Sequence, residues 1–156
     1  MIGWNDEITI DIPAEACFRA ATDLSQCHQW IPQIERIERL DKGPLGAGSR
    51  WLETRREGRR VHTMELEVFE SHSPGDGEPP YIHCAGADIA YMKSYYRFRF
   101  EAMGQQQTQV YLEARVEPKR YWMAFIARPM VRFMKKSEKG LLDRLKSFCE
   151  QQPPVK

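Results

Sequence analysis

The chain has 156 residues, 42% of them hydrophobic and 11% aromatic, and a formal net charge of +1 at pH 7. That size suits one domain with a real core, expected over residues 1–151 with a short tail at 152–156. Bulk charge argues neither for nor against nucleic acid, and no nucleic-acid partner is expected.

Cys17, Cys27, Cys84 and Cys149 form no Cys-x-x-Cys pair and no short Cys/His spacing of the zinc type. They read as reduced thiols, with no metal and no cofactor expected. Neither a basic-then-apolar leader nor an apolar run of membrane-spanning length is visible, so the expected location is cytoplasmic.

In chain order, "EITIDI" (7–12) alternates three isoleucines with polar residues and predicts a half-buried strand. Pro13 then opens a short helix, "PAEACFRAATDL". "SQCHQWIP" predicts a second short helix, ended by Pro32. In "QIERIERLDKG" the apolar spacing also fits a helix, but its brevity and the glycines after it favour a twisted or bulged strand. "GPLGAGS" is a turn without the Gly-Lys-Ser/Thr of a phosphate loop.

A hairpin follows, "SRWLETRREGRRVHTMELEVFE", and "SPGDGEPP" (73–80) is a loop. "YIHCAG" and "AYMKSYYRFRFEA" are strands. The latter puts Met92, Ser94, Tyr96, Phe98 and Phe100 on one face. "TQVYLEARVEP" alternates Val110, Leu112, Ala114 and Val116 with polar residues. His83 and Cys84 are neighbours on a strand, so they point to opposite faces and form no dyad.

From Tyr121 to Gln151 one long helix is expected, carrying Trp122, Ile126, Met130, Phe133, Leu141, Leu145 and Phe148 on a single stripe. Arg128, Arg132, Lys135, Lys139 and Lys146 fall opposite. Pro129 predicts a kink near Phe125–Arg128. Between Lys119 and Lys146 nine basic residues meet two acidic ones, Glu138 and Asp143. This is either a solvated helix face or a surface that meets an acidic partner or an anionic membrane, the latter through Arg128, Arg132, Lys135 and Lys139.

The hairpin register decides which side chains share the interior. With a two-residue connection at Glu57-Gly58, Arg55 faces Arg60, Glu53 faces His62, Trp51 faces Met64 and Arg50 faces Glu65. Trp51, Met64, Leu66 and Val68 then form one apolar face, and a one-residue slip would scatter them. Glu53 and His62 come out as an inward pair near the tip, able to move protons or simply to close a polar rim. Arg55, closer to the tip, would reach water.

The element order packs economically as a curved antiparallel sheet around the helix, with a leftover apolar cavity. The stretches "ITIDIPAEACFRAATDLSQCHQWIPQI", "GPLGAGSRWLETRREGRR", "MELEVFE" and "LLDRLKSFCE" resemble the SRPBCC superfamily over nearly the whole chain. That superfamily holds START-type lipid carriers, polyketide cyclases and pollen-allergen-like proteins.

The resemblance implies an α+β helix-grip fold: six to seven strands wrapped around a long C-terminal helix, with two short helices after the first strand. It also implies a pocket between sheet and helix. The expected function is binding of a hydrophobic or amphipathic small molecule. Its expected lining is Trp51, Met64, Leu66, Tyr96 and Phe98 of the sheet and Trp122, Phe125, Ile126, Met130 and Phe133 of the helix, with Arg55, Glu53 and His62 at the ligand's polar end. Two alternatives stand beside it. One is a metal-free cyclase or dehydratase using Glu53 and His62 as acid and base. The other is a co-chaperone-like interaction module.

Overall fold

The computed structural model describes residues 2–151. Seven antiparallel strands form one sheet in the order β1-β7-β6-β5-β4-β3-β2. They are β1 (Ile2–Ile10), β2 (Ile34–Arg39), β3 (Arg50–Glu57), β4 (Arg60–His72), β5 (Tyr81–Ile89), β6 (Met92–Ala102) and β7 (Thr108–Pro118). After β1 come α1 (Ala14–Thr22) and a single 3-10 turn at Cys27–Gln29 in place of the second short helix. The tail at 152–156 lies outside the described residues.

Strand β1 starts at Ile2, five residues before the expected start at Glu7, and ends at Ile10; its register against β7 runs from Ile2–Val116 to Ile10–Thr108. Strand β2 carries the expected irregularity, a bulge between Ile34 and Arg36. On β7, Val110, Leu112, Ala114 and Val116 are all buried. They line the core side of the sheet, where Val110 and Leu112 join Phe98, Phe100, Trp30 and α1 in the main core. There α3 (Leu141–Glu150) closes it with Leu141, Leu142, Leu145 and Phe148.

The C-terminal helix is long and bent, but the bend is not at Pro129. A 3-10 turn at Tyr121–Met123 leads into α2 (Ala124–Ser137), which runs through Pro129 unbroken. The break comes at Gly140, whose φ of 83° is left-handed and suits glycine. Proline deletes only one donor here, and the Phe125 carbonyl it frees lies on an exposed face where water can bond it. Helix α2 packs on β1 and β7. Ala127 and Val131, both buried, make that contact against Val116. Two small side chains at this seam let the helix sit close to the sheet.

Candidate functional site

The hairpin connection is Gly58-Arg59, not Glu57-Gly58: Glu57 pairs with Arg60, Arg55 with His62, Glu53 with Met64 and Trp51 with Leu66. Gly58 leads the turn at φ 65°, and no described non-glycine residue has a positive φ. That matches a II′ connection, which takes glycine first. The register differs by two positions along the partner strand, so every side chain keeps its expected face. Trp51 and Val68 are buried inward as expected. Arg50 and Glu65 still form an ion pair at 3.0 Å, now across a diagonal.

The partners of Glu53 change with this register. Its carboxylate is buried and is not opposite His62. It accepts from Arg55 Nε at 2.6 Å and from Trp51 Nε1 at 3.4 Å. Arg55 does not reach water. Its Nη1 donates to Glu138 Oε1 at 2.9 Å, and the residue pairs across the sheet with His62 rather than Arg60. A buried carboxylate–guanidinium–carboxylate triad thus ties β3 to the bend after α2.

Burial works against the Arg55 cation, but the two carboxylates outweigh it and hold the guanidinium charged. Cys27 lies near enough that burial, with the Glu53 charge adding to it, pushes its thiol up to about 12.

The central strands carry a second group. Tyr96 pairs with Ala85, Phe98 with His83 and Ser94 with Ala87, so these side chains share the concave face. On β5 the usual alternation is inverted. The inward His83, Ala85 and Ala87 keep partial exposure, whereas the outward Ile82, Cys84 and Gly86 are buried. Outward positions are roofed by long side chains such as Arg97, which pairs with Glu70.

Burial still pushes the His83 imidazole down to about 4. Burial, then the Glu138 carboxylate, raises the Tyr96 phenol above its ordinary value. At neutral pH the wall therefore carries a neutral imidazole and a protonated phenol on diagonal positions, within reach of one ligand. His83 is absent from the lining expected from sequence. The signal for it is the inward Phe98: pairing β5 with β6 through a two-residue turn puts His83 opposite that ring.

The structure separates the other expected lining residues. Met64, Leu66 and Tyr96 are half-buried on the concave face. Trp51 is committed to Glu53, and Phe98 is a core residue edge-on to Trp30. On α2 the expected stripe is not enclosed. Trp122, Ile126 and Phe133 are about half exposed, and Met130 is partly packed against Ala127 and Val131. Phe125 points away into solvent. The ring of Trp122 meets Tyr91 in the β5–β6 turn at 6.0 Å, which puts the Trp122 end of the stripe beside that turn.

Among the described residues no cluster of three His, Cys, Asp or Glu side chains could hold a metal, and no helix is long and apolar enough to cross a membrane.

A curved antiparallel sheet gripping a bent C-terminal helix, with polar groups set into an apolar concave face, defines the helix-grip class within the SRPBCC, or Bet v 1-like, superfamily. The chain belongs to the family described as polyketide cyclase / dehydrase and lipid transport, whose model matches residues 1–150. No curated protein matches the sequence.

Among solved structures it is similar to the Zhui aromatase/cyclase from Streptomyces sp. R1128, at TM-score 0.71 and 12% identity, covering 95% of this chain and 93% of that one. It is also similar to norcoclaurine synthase from Thalictrum flavum, at TM-score 0.70 and 10% identity, covering 97% and 88%. TTHA0849 from Thermus thermophilus matches at TM-score 0.67 and 18% identity, covering 94% and 95%. Identities this low show the shared fold alone.

Proposed function

We propose that this protein binds an apolar or aromatic small molecule against the concave wall of β4–β6, with the Trp122, Ile126, Met130 and Phe133 stripe of α2 as the facing wall. The observation that carries this reading is the inverted exposure on β5. An inward wall more open than the outward one is a wall left for something else to cover. Tyr96, Ser94 and His83 supply a few polar contacts to orient a ligand, and methionines on both sides adapt to its shape. The family description, which joins cyclases with lipid transport, supports a ligand of this chemistry.

Native mass spectrometry of the purified protein, with titration of a fluorescent aromatic probe, tests the proposal. Ala85→Phe fills the wall beside Tyr96 and should weaken probe binding at least tenfold while the protein stays folded. Unchanged binding in that variant, or no binding by the parent, sinks the proposal.

A second reading, a cyclase or dehydratase, is favoured by the diagonal His83 and Tyr96. The phenol would donate to a ligand carbonyl while the imidazole takes a proton from the adjacent carbon. Glu53, expected as the acid or base with His62, is the weaker candidate because its carboxylate is engaged by Arg55 and Trp51. An imidazole at about 4 is a poor base at neutral pH, and this ranks binding first. Incubation with a linear poly-β-ketone, read by mass spectrometry, decides. A cyclised product that falls in His83→Phe and Tyr96→Phe supports the enzyme; none supports the carrier.

A further inference from the structure

The outward face of α2 and of the 3-10 turn that leads into it is unusual for a protein surface. Tyr121 is 91% exposed and Phe125 82%, with Trp122 and Ile126 about half exposed beside them. The β5–β6 turn adds exposed Ile89 and Tyr91. These residues form one patch rather than scattered singles, because Tyr91 meets Trp122 and its carbonyl accepts from Lys119 N at 2.8 Å. Contiguous exposed aromatics on an otherwise folded surface mark a contact face.

The charge beside the patch selects the partner. From 119 to 137 the chain has six basic residues and no acidic one; Lys119 is paired with Asp88, so the charge excess lies in the other five. Phe125, Arg128, Arg132 and Lys135 follow at helical spacing and are all exposed, whereas Ala127 and Val131 are buried. Aromatics therefore occupy the first turns of the helix and cations the later ones, on the same outward side.

We infer that this face docks on an anionic lipid bilayer, with Tyr121, Trp122 and Phe125 at the headgroup–acyl boundary and Arg128, Arg132 and Lys135 on the anionic headgroups. Three physical arguments favour that occupant. Tyr and Trp are amphipathic and suit the interface. The exposed aromatics sit on one side of a single helical segment, beside cations on the same segment. A second copy would bring two sets of uncompensated cations together. This inference does not rest on the concave wall as a ligand site. If both hold, docking sets the Trp122 end of that wall at the lipid surface.

The test is co-sedimentation of the full chain with phosphatidylcholine vesicles with and without phosphatidylglycerol, at low and high salt. Binding is expected only with the anionic lipid and should fall steeply with salt. Phe125→Glu should weaken it at least tenfold. Lys135→Gln and Lys136→Gln should each weaken it about fivefold. All three positions are exposed, so these variants should keep the parent's melting temperature and probe binding, which separates failure here from failure of the ligand proposal. Equal binding to neutral vesicles, no binding, or binding indifferent to these substitutions overturns the inference. A concentration-dependent dimer abolished by Phe125→Glu overturns it in favour of a second copy. Salt-sensitive capture of an acidic protein, with no vesicle binding, overturns it in favour of that partner.

Discussion

Replacing Arg55 with methionine should be among the most destabilising single changes in this protein. The Arg55 side chain is 14% exposed, and it bridges two carboxylates that are 5% and 6% exposed. Methionine keeps much of the volume and removes the only cation in the triad. Two buried carboxylates are then left facing each other without compensation.

An exposed ion pair would cost at most about 1 kcal/mol on the same change. Removing one partner of a buried pair costs about 3–5 kcal/mol. For a chain of this size that lowers the melting temperature by roughly 6–20 °C. The effect should persist at high salt, because the pair is shielded from bulk ions.

Replacing the whole triad, as Glu53→Leu, Arg55→Met and Glu138→Leu together, should cost less than Arg55→Met alone. The buried charges are then removed rather than stranded. Thermal melts followed by circular dichroism at neutral pH provide the measurement. An Arg55→Met melting temperature equal to the parent's, or a triple variant weaker than the single one, refutes the account of the triad as a closed buried network.

Two further outcomes follow from the buried titratable groups. The His83 imidazole moves from 6.5 to about 4 in the folded chain, so between those values the unfolded chain binds the extra proton. Stability is therefore complete above about pH 6.5 and is lost progressively as pH falls to 4, by at most about 3 kcal/mol; urea titrations across that range should show the slope in the parent and lose it in His83→Phe. All four cysteines are buried free thiols, and burial first of all pushes Cys27 up to about 12 and Cys84 up to about 11. Maleimide labelling of the native protein at neutral pH should be slow and should become complete in denaturant, and rapid native labelling of Cys27 would contradict its placement beside Glu53.

The strands were legible because alternation is a direct record of a sheet with one apolar face. Tyr96, Phe98, Phe100 and the β7 residues were placed correctly by that record alone. The register of the β3–β4 hairpin was not. Arg55, Arg56, Glu57, Gly58, Arg59 and Arg60 offer two turns whose registers preserve the same faces, so apolar patterning cannot choose between them. The choice rests on the demand of a II′ turn for glycine in the first position, which Gly58-Arg59 meets. That displacement moved Glu53 from a histidine partner to a methionine. Arg55 bridges to Glu138, a contact 83 residues away that no local pattern encodes.

The C-terminal helix shows a different limit. Helical periodicity reveals which residues share a stripe but not which stripe the sheet will take. By size, Trp122, Ile126, Met130 and Phe133 are the expected packing stripe. The sheet took Ala127 and Val131, because small residues permit the closer approach, and left the aromatics facing outward or over the concave wall. Size at a helix seam is thus ambiguous in sequence. A large apolar residue offers more area to bury, but a small one shortens the distance over which everything else packs. In this chain the second effect decided. The cost is an aromatic face left in water, and a fold that leaves such a face uncovered gains most from a partner that covers it.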